Sequence, residues 1–291
     1  MLKRVYLNEQ PNKNSYSNAS VMLLGGFDGL HAGHKTLVEK AKDFRLPIGI
    51  MTIVGGKGER GLFTLCEREE IFRRAGVDFV LELPFLEIKD LSPEIFTRQI
   101  IEECNPVAFV CGDDFRFGKN ACGTPETLKQ TGQVRVEVEK LLTVNGEKVS
   151  STKIKAHLSK GEIERANELL GEEFFLIGGV VKDRGVGKTL GFPTANVFYP
   201  KDKHPVKYGV YETRVCLNGK EYKGITNYGN RPTFDDNTTI TETYIDGFDG
   251  DLYGKPLKIR FTRYLRDIEK FESIEALKAQ LNEDIRRVRE E

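Results

Sequence analysis

The 291-residue chain has no tryptophan, three methionines, four histidines and five cysteines, and neither sign of charge is in excess. Lysine plus arginine total 44 and aspartate plus glutamate total 44; from Glu172 onward there are 20 of each sign, leaving 24 and 24 before it. Such evenness argues against a broad nucleic-acid-binding surface, which needs a basic excess, and against a polybasic membrane signal. The cysteines, at 66, 104, 111, 122 and 216, are odd in number and never stand at Cys-x-x-Cys spacing. That pattern argues against a disulfide framework or a zinc site and points to a reducing cytoplasm. No apolar run approaches the ~18 residues of a membrane span, and the opening MLKRVYLNEQPNKNSYSN lacks the apolar stretch of a signal peptide, so neither is expected. Hydrophobic residues at 39% and aromatics at 10% suffice for packed cores, so disorder is excluded as the main description. The length corresponds to about two domains.

The first half alternates strand-like and helix-like segments. Val21 to Leu24 is apolar and runs into Gly25-Gly26; Gly33 to Phe44 reads as a helix with Leu37, Val38 and Ala41 on one face. Leu46 to Val54 is a buried-strand pattern closed by Gly55-Gly56. Thr64 followed by Glu67 predicts a capping box and a helix start. Asp78 to Leu83 is a further strand, Ser92-Pro93 opens a helix with proline in its first turn, and Val107 to Cys111 is a strand ending at Gly112. This alternation predicts a parallel sheet covered by helices. Near residue 150 the texture changes. Ser150-Ser151-Thr152 is suited to cap a helix, and Glu162 to Leu170 forms a second one, with Ile163, Ala166, Leu169 and Leu170 on its apolar face and Gly171 as its stop. Beyond Glu172, Phe174 to Val181, Val210 to Leu217, Ile240 to Ile245 and Leu257 to Phe261 read as strands separated by Gly, Asn and Asp turns, the signature of an antiparallel sandwich or barrel. A last helix starts at Ser273 with Ile274, Leu277, Leu281, Ile285 and Val288 at helical spacing.

Two stretches carry chemistry. In VMLLGGFDGLHAGH (21–34) a strand meets a glycine-rich turn and then a helix start. Free N–H groups and the positive end of the helix dipole converge there, which suits phosphate. Gly26, Gly29 and Gly33 let backbone approach a ligand closely. His31 and His34, three apart at the helix entry, lie on one side of the turn, where two imidazoles donate hydrogen bonds to a phosphate gaining charge during nucleotidyl transfer. In GGVVKDRGVGKTLGFPTAN (178–196), Gly-x-Gly-Lys-Thr is not a P-loop, because the spacing is wrong and Pro193 interrupts any following helix. It reads instead as a glycine-rich hairpin over phosphates.

The His31-Ala-Gly-His34 element resembles the nucleotidyltransferase superfamily and, more narrowly, the FMN adenylyltransferase module of prokaryotic bifunctional riboflavin kinase/FAD synthetases. Val110 to Gly118 (VCGDDFRFG) and Val149 to Lys155 (VSSTKIK) are similar to two further motifs of that module. Leu190 to Asn196 (LGFPTAN) matches the riboflavin kinase signature, and Asn227 to Phe234 (NYGNRPTF), Thr241 to Gly254 and Tyr264 to Phe271 resemble the kinase elements that follow it. The sequence departs from the family at Lys155, where arginine is usual, and between Met51 and Phe63, where a glycine-rich TIVGGKGERG replaces a Phe-x-Pro-His-Pro-like segment. A class I aminoacyl-tRNA synthetase, which shares a His-x-Gly-His element, is disfavoured by the missing Lys-Met-Ser-Lys-Ser-like loop and the short chain.

The resemblance implies a Rossmann-like α/β nucleotidyltransferase domain with a parallel sheet at 1–157, a helical connector at 158–171, and an all-β, six-stranded antiparallel barrel with a C-terminal helix at 172–291. It implies phosphorylation of riboflavin to FMN and adenylylation of FMN to FAD, with ATP as co-substrate and Mg²⁺ as cofactor. His31, His34 and Glu242 are the implied catalytic residues, Glu242 as general base. Nucleotide contacts are implied for Gly26, Phe27, Asp28, Gly29, Gly33, Asp114, Ser150, Ser151, Thr152 and Lys155 in the first half. In the second half they are implied for Lys182, Gly185, Gly187, Lys188, Gly191, Pro193, Thr194 and Asn196, with Thr194 and Asn196 also holding Mg²⁺. Flavin contacts are implied for Phe115, Arg116 and Arg266, the last of which reads equally as a salt-bridged surface arginine. The departures keep one alternative open, a monofunctional riboflavin kinase with a degenerate first module. No nucleic-acid or membrane partner is expected, and the sequence leaves the oligomeric state open.

Overall fold

The structure is a computed structural model that describes residues 2–6, 16–55, 60–140, 142–182, 187, 191–230 and 239–290. The chain divides into two compact units, Met1–Ser151 and Thr152–Glu291.

The first unit is built on six strands: β1 (Lys3–Tyr6), β2 (Ser20–Leu24), β3 (Ile48–Val54), β4 (Phe79–Pro84), β5 (Pro106–Gly112) and β6 (Arg135–Glu139). They pair in the order β1-β4-β3-β2-β5-β6, and every pairing is parallel. The apolar runs explain the central strands: all five residues of β2 and Ile48–Thr52 of β3 are buried, as strands covered on both faces must be. Helices α1 (Ala32–Lys42), α2 (Leu65–Ala75), α3 (Phe85–Ile88), α4 (Pro93–Cys104) and α5 (Pro125–Gln130) accompany the strands. Leu37, Val38 and Ala41 form the buried stripe of α1. The Thr64/Glu67 capping box starts α2, and Ser92 caps α4 with Pro93 in its first turn. The strands β1 and β6 and helix α5 had no clear apolar signal; β6 alternates charge and valine (RVEVE) and none of its residues is fully buried. From β2 the chain builds the sheet in one direction through β3 and β4, then returns to place β5 on the other flank of β2. The carboxyl ends of β2 and β5 therefore border a topological switch point, the crevice where open α/β sheets bind ligands.

A small hairpin, β7 (Thr143–Val144) with β8 (Glu147–Lys148), precedes helices α6 (Ser151–Lys160) and α7 (Ile163–Leu170). Ile163, Ala166, Leu169 and Leu170 are buried, and Gly171 closes α7 in the left-handed conformation. Within the second unit, Asn167 ties α7 to the strands that follow: its amide nitrogen donates to Phe261 O at 2.9 Å and its oxygen accepts from Phe174 N at 2.7 Å.

The second unit is a closed antiparallel barrel of β9 (Phe174–Val181), β10 (Thr194–Phe198), β11 (Gly209–Leu217), β12 (Lys220–Asn230), β13 (Thr239–Ile245) and β14 (Pro256–Arg266), in the order β10-β13-β12-β11-β14-β9. Two strands were not legible in the sequence. Thr194–Phe198 lies inside a Gly/Pro-rich motif, and Lys220–Asn230 (KEYKGITNYGN) is polar and broken by glycines. Both are held by neighbours rather than by propensity. Fully buried Thr213, Thr226 and Thr243 form a hydroxyl ladder across three strands, with 2.9 Å between successive oxygens.

The opposite face is partly covered by the terminal helix α8 (Ile274–Glu290), whose Ile285 and Val288 pack with Val210 and Ile225. The apolar stripe expected along α8 is narrower than its spacing suggests: Leu277 and Leu281 are half-buried and Ile274 is 56% exposed. A polar anchor holds the helix. Arg266 of β14 forks onto the fully buried carboxylate of Asp284 (Nη2–Oδ2 2.7 Å, Nε–Oδ1 3.1 Å), which also accepts from Gln280 at 2.9 Å. Arg266→Ala leaves that carboxylate without its cation, so we expect the barrel to lose about 3 kcal/mol in denaturant unfolding.

Candidate functional site

At the end of β2 the chain cannot continue straight. Phe27 takes φ +35° and Gly29 φ +132°, and a Cβ on Gly29 would lie 2.7 Å from the Phe63 ring. This bend delivers His31 to the N-cap of α1, where its Nδ1 accepts from the backbone N–H of His34 at 3.2 Å. One turn on, His34 Nδ1 donates to Gly29 O at 3.0 Å. The two rings stack with centroids 3.5 Å apart and 16° between planes, and Phe27 flanks His34 at 4.6 Å. The partners fix the tautomers of the neutral rings. His31 carries its proton on Nε2 and is a donor there; His34 carries its proton on Nδ1 and presents Nε2 as an acceptor. Burial pushes the His31 imidazolium down to about 2, helped by repulsion from His34 and opposed by Asp114. Burial likewise lowers His34 to about 4, against the stabilising bond to Gly29. The expectation of two ready donors is therefore corrected: the pair offers one N–H while both rings are neutral, and gains the second when His34 takes a proton.

Asp28 is occupied structurally. Its Oδ1 pairs with Arg68 Nη2 at 2.6 Å and its Oδ2 accepts from Leu62 N at 2.8 Å. Arg68 also donates to Phe63 O at 3.0 Å, Thr52 Oγ1 at 3.2 Å and Ile53 O at 3.3 Å, so one guanidinium gathers the loop after β2, the end of β3 and the start of α2. Nothing in the sequence marked Arg68. On the other side of the switch point, the turn after β5 exposes Asp114, which pairs with Lys148 at 3.2 Å. Arg116 is exposed, its Nη1 donating to Phe115 O at 2.8 Å, while Phe115 is buried in the core and stacks on Phe117 at 5.3 Å. Gly26 and Gly33 lie in the loop and the first turn of α1; Ser150 precedes α6, and Ser151, Thr152 and Lys155 lie on it.

In the barrel, register assembles the second constellation. Asn196 of β10 stands opposite Glu242 of β13, and Glu242 stands opposite Asn227 of β12. Directly paired residues share a face, so one row reads Asn196, Glu242, Asn227, and continues to Val210 and Arg266 through β11 and β14. Thr194 lies one row along, opposite Tyr244. Asn196 is 5% exposed, and its Oδ1 is buried without a hydrogen bond among the described residues. Gly187 approaches this strand closely: Phe192 N donates to Gly187 O at 2.8 Å, and a Cβ on Gly187 would lie 2.5 Å from Phe192 O. Lys182 follows β9 with its Nζ 5.8 Å from the Tyr253 ring centroid; Gly191 and Pro193 are exposed ahead of Thr194. Gly185 and Lys188 lie outside the described residues. Arg266, expected at the flavin, has its guanidinium engaged by Asp284.

A parallel sheet with a histidine pair at its switch point, joined in one chain to a barrel carrying a carboxylate between two amides, defines a two-domain phosphate-chemistry enzyme. Residues 13–153 match the FAD synthetase family model and residues 170–291 the riboflavin kinase family model. The chain is 30% identical over 301 residues to the bifunctional riboflavin kinase/FMN adenylyltransferase of Listeria monocytogenes, covering 97% of this chain and 96% of that one. It is 32% identical over 284 residues to the Bacillus subtilis protein of the same name, covering 91% and 90%. A crystal structure described as a macrolide-efflux protein from Streptococcus pneumoniae superposes with TM-score 0.87 at 28% identity, over 99% of both chains. The chain belongs to the bifunctional riboflavin kinase/FMN adenylyltransferase family. Among the described residues no helix is long and apolar enough to cross a membrane.

Proposed function

We propose that this chain phosphorylates riboflavin in its barrel and adenylylates the resulting FMN in its α/β unit, with the site residues divided as follows. Glu242 accepts the proton of the ribityl 5′-hydroxyl as that oxygen attacks the γ-phosphorus of ATP; the bond to ADP breaks, and FMN and ADP leave. Thr194 and Asn196 are the residues that would hold Mg²⁺, and the orphaned, buried Asn196 Oδ1 fits a hard cation. The ion supplies charge neutralisation between the phosphates when bound. Lys182, Gly185, Gly187, Lys188, Gly191 and Pro193 form the nucleotide side of this site.

In the α/β unit, His31 and His34 steady the α-phosphate of a second ATP while an FMN phosphate oxygen attacks it. Pyrophosphate departs and FAD remains. Gly26, Phe27, Gly29, Gly33 and the start of α1 receive the phosphates, with Asp114, Ser150, Ser151, Thr152 and Lys155 as further nucleotide contacts and Arg116 at the flavin. Asp28 acts through Arg68, holding the loop. Phe115 supports the turn from within the core, and Arg266 shapes the flavin side of the barrel by fixing α8. The functional limits we propose are 1–157, 158–171 and 172–291. An ATP requirement and five free cysteines favour the cytoplasm.

The observation that carries this reading is the strand register that sets Glu242 directly opposite Asn196; the match of residues 13–153 to the FAD synthetase family disfavours a kinase working alone. The test is a time course with riboflavin, ATP and Mg²⁺ resolved by chromatography. FMN is expected to rise and then fall as FAD accumulates. FMN as the end product would overturn the second activity.

A further inference from the structure

Four side-chain oxygens or nitrogens are buried without a hydrogen bond among the described residues, and two of them, Asn196 Oδ1 and Asn227 Oδ1, flank Glu242 in one row. A buried acceptor left unpaired marks a missing partner. Asn196 has its partner in the cation assigned above. Asn227 has none assigned, and it stands on the other side of the base: with strands spaced ~4.8 Å, the two amides are about 10 Å apart with the carboxylate midway. Beyond Asn227 the row passes to Val210, which packs under α8, and to Arg266, which is bound to Asp284. The phosphates thus approach from the β10 side, and the reacting hydroxyl must reach both the γ-phosphorus and Glu242, so the rest of the alcohol runs towards the β12 side of the row. A carbonyl oxygen repels phosphate oxygens and accepts from hydroxyls.

We infer that Asn227 is a riboflavin-binding residue of the kinase site, its amide oxygen accepting a hydrogen bond from the ribityl chain next to the hydroxyl that Glu242 deprotonates. The inference rests on the assignment of Glu242 as base. Holding the polyol there aims the 5′-oxygen at the γ-phosphorus and pairs the acceptor that has no hydrogen bond among the described residues.

The experiment uses the full chain carrying Asn227→Ala. Losing one neutral hydrogen bond to substrate should raise KM for riboflavin about tenfold. KM for Mg·ATP should not change, nor should inhibition by lumiflavin, which has the ring system without the ribityl chain. An unchanged riboflavin KM overturns the inference. So does a rise in the Mg²⁺ or ATP requirement, which would move Asn227 to the cation, or an equal loss of lumiflavin affinity. Should the alanine variant fail to fold, Asn227→Asp decides. It keeps an acceptor of the same size, so riboflavin KM stays within a fewfold, while the second carboxylate opposes ionisation of Glu242 and moves the acidic limb of the kinase pH profile to higher pH. An unmoved profile overturns the placement. Glu242→Gln run in parallel separates the two ideas: if it still phosphorylates riboflavin, the base assignment falls, whatever Asn227 does.

Discussion

Glu242→Gln should reduce riboflavin phosphorylation about a thousandfold while leaving conversion of supplied FMN to FAD at its normal rate. Glutamine matches the glutamate in shape, so the row from Asn196 to Asn227 keeps its packing and its strand register. What disappears is a basic oxygen able to take the hydroxyl proton. Because that proton moves only as the phosphoryl group is transferred, the loss should fall on kcat, with KM for both substrates little changed. The two activities sit on different units of the fold, so FAD formation from FMN is an internal control for concentration and integrity. A variant that phosphorylates riboflavin normally would remove Glu242 from the chemistry. A variant that loses both activities together would indicate a damaged protein rather than a missing base.

The sequence made the first unit legible where its central strands are apolar on both faces and its helices are punctuated: Thr64 with Glu67 and Ser92 with Pro93 do locally what the pattern says they do, as Gly171 does at the end of α7 in the second unit. The barrel was half legible. Strands rich in apolar and β-branched residues between turn residues could be read, whereas β10 and β12 form because neighbouring strands pair with their backbones. That distinction decided what was seen of the site. His31 and His34 are close in sequence and meet across one helical turn, so their proximity was visible. Asn196, Glu242 and Asn227 are brought together only by register between strands far apart in sequence. Resemblance supplied the roles of two of them; the third became visible through its unpaired oxygen. Arg68 was invisible for the same reason, since its four guanidinium hydrogen bonds go to loops and strand ends that the fold assembles. Phe115 and Arg266 show the converse: a motif residue can be needed by the fold beside a site, one as core and one as the anchor of α8.

Replacing both histidines, His31→Gln with His34→Gln, should lower FAD formation from FMN by about a hundredfold to a thousandfold, the cost of removing donors aimed at developing phosphate charge, and should leave riboflavin phosphorylation unchanged. The pH dependence gives a sharper readout. In the free protein the rings are neutral, with His34 lowered to about 4 and His31 to about 2 by burial. Stacked at 3.5 Å, they cannot both become cations without strong repulsion. His34 turns its Nδ1–H to Gly29 O, so its Nε2 donates to phosphate only after gaining a proton. Triphosphate charge beside the ring favours that proton, so nucleotide binding at this site is coupled to proton uptake. The bound form holds more protons than the free form. Adenylylation efficiency should therefore fall as pH rises through the raised value of the bound His34, and His34→Gln should flatten that limb.

Folding carries the opposite sign. The unfolded chain protonates its histidines near 6.5, while the folded pair resists until about 4 or below. Between those values the unfolded state binds more protons, so stability rises with pH across that window and is lost as pH falls through it. Chemical denaturation of the wild type and the double variant from pH 7 to 4 should show the wild type losing more stability, since glutamine has no proton to gain. Equal losses would mean that the rings are already open to protons in the folded state, and the single-donor site would have to be given up.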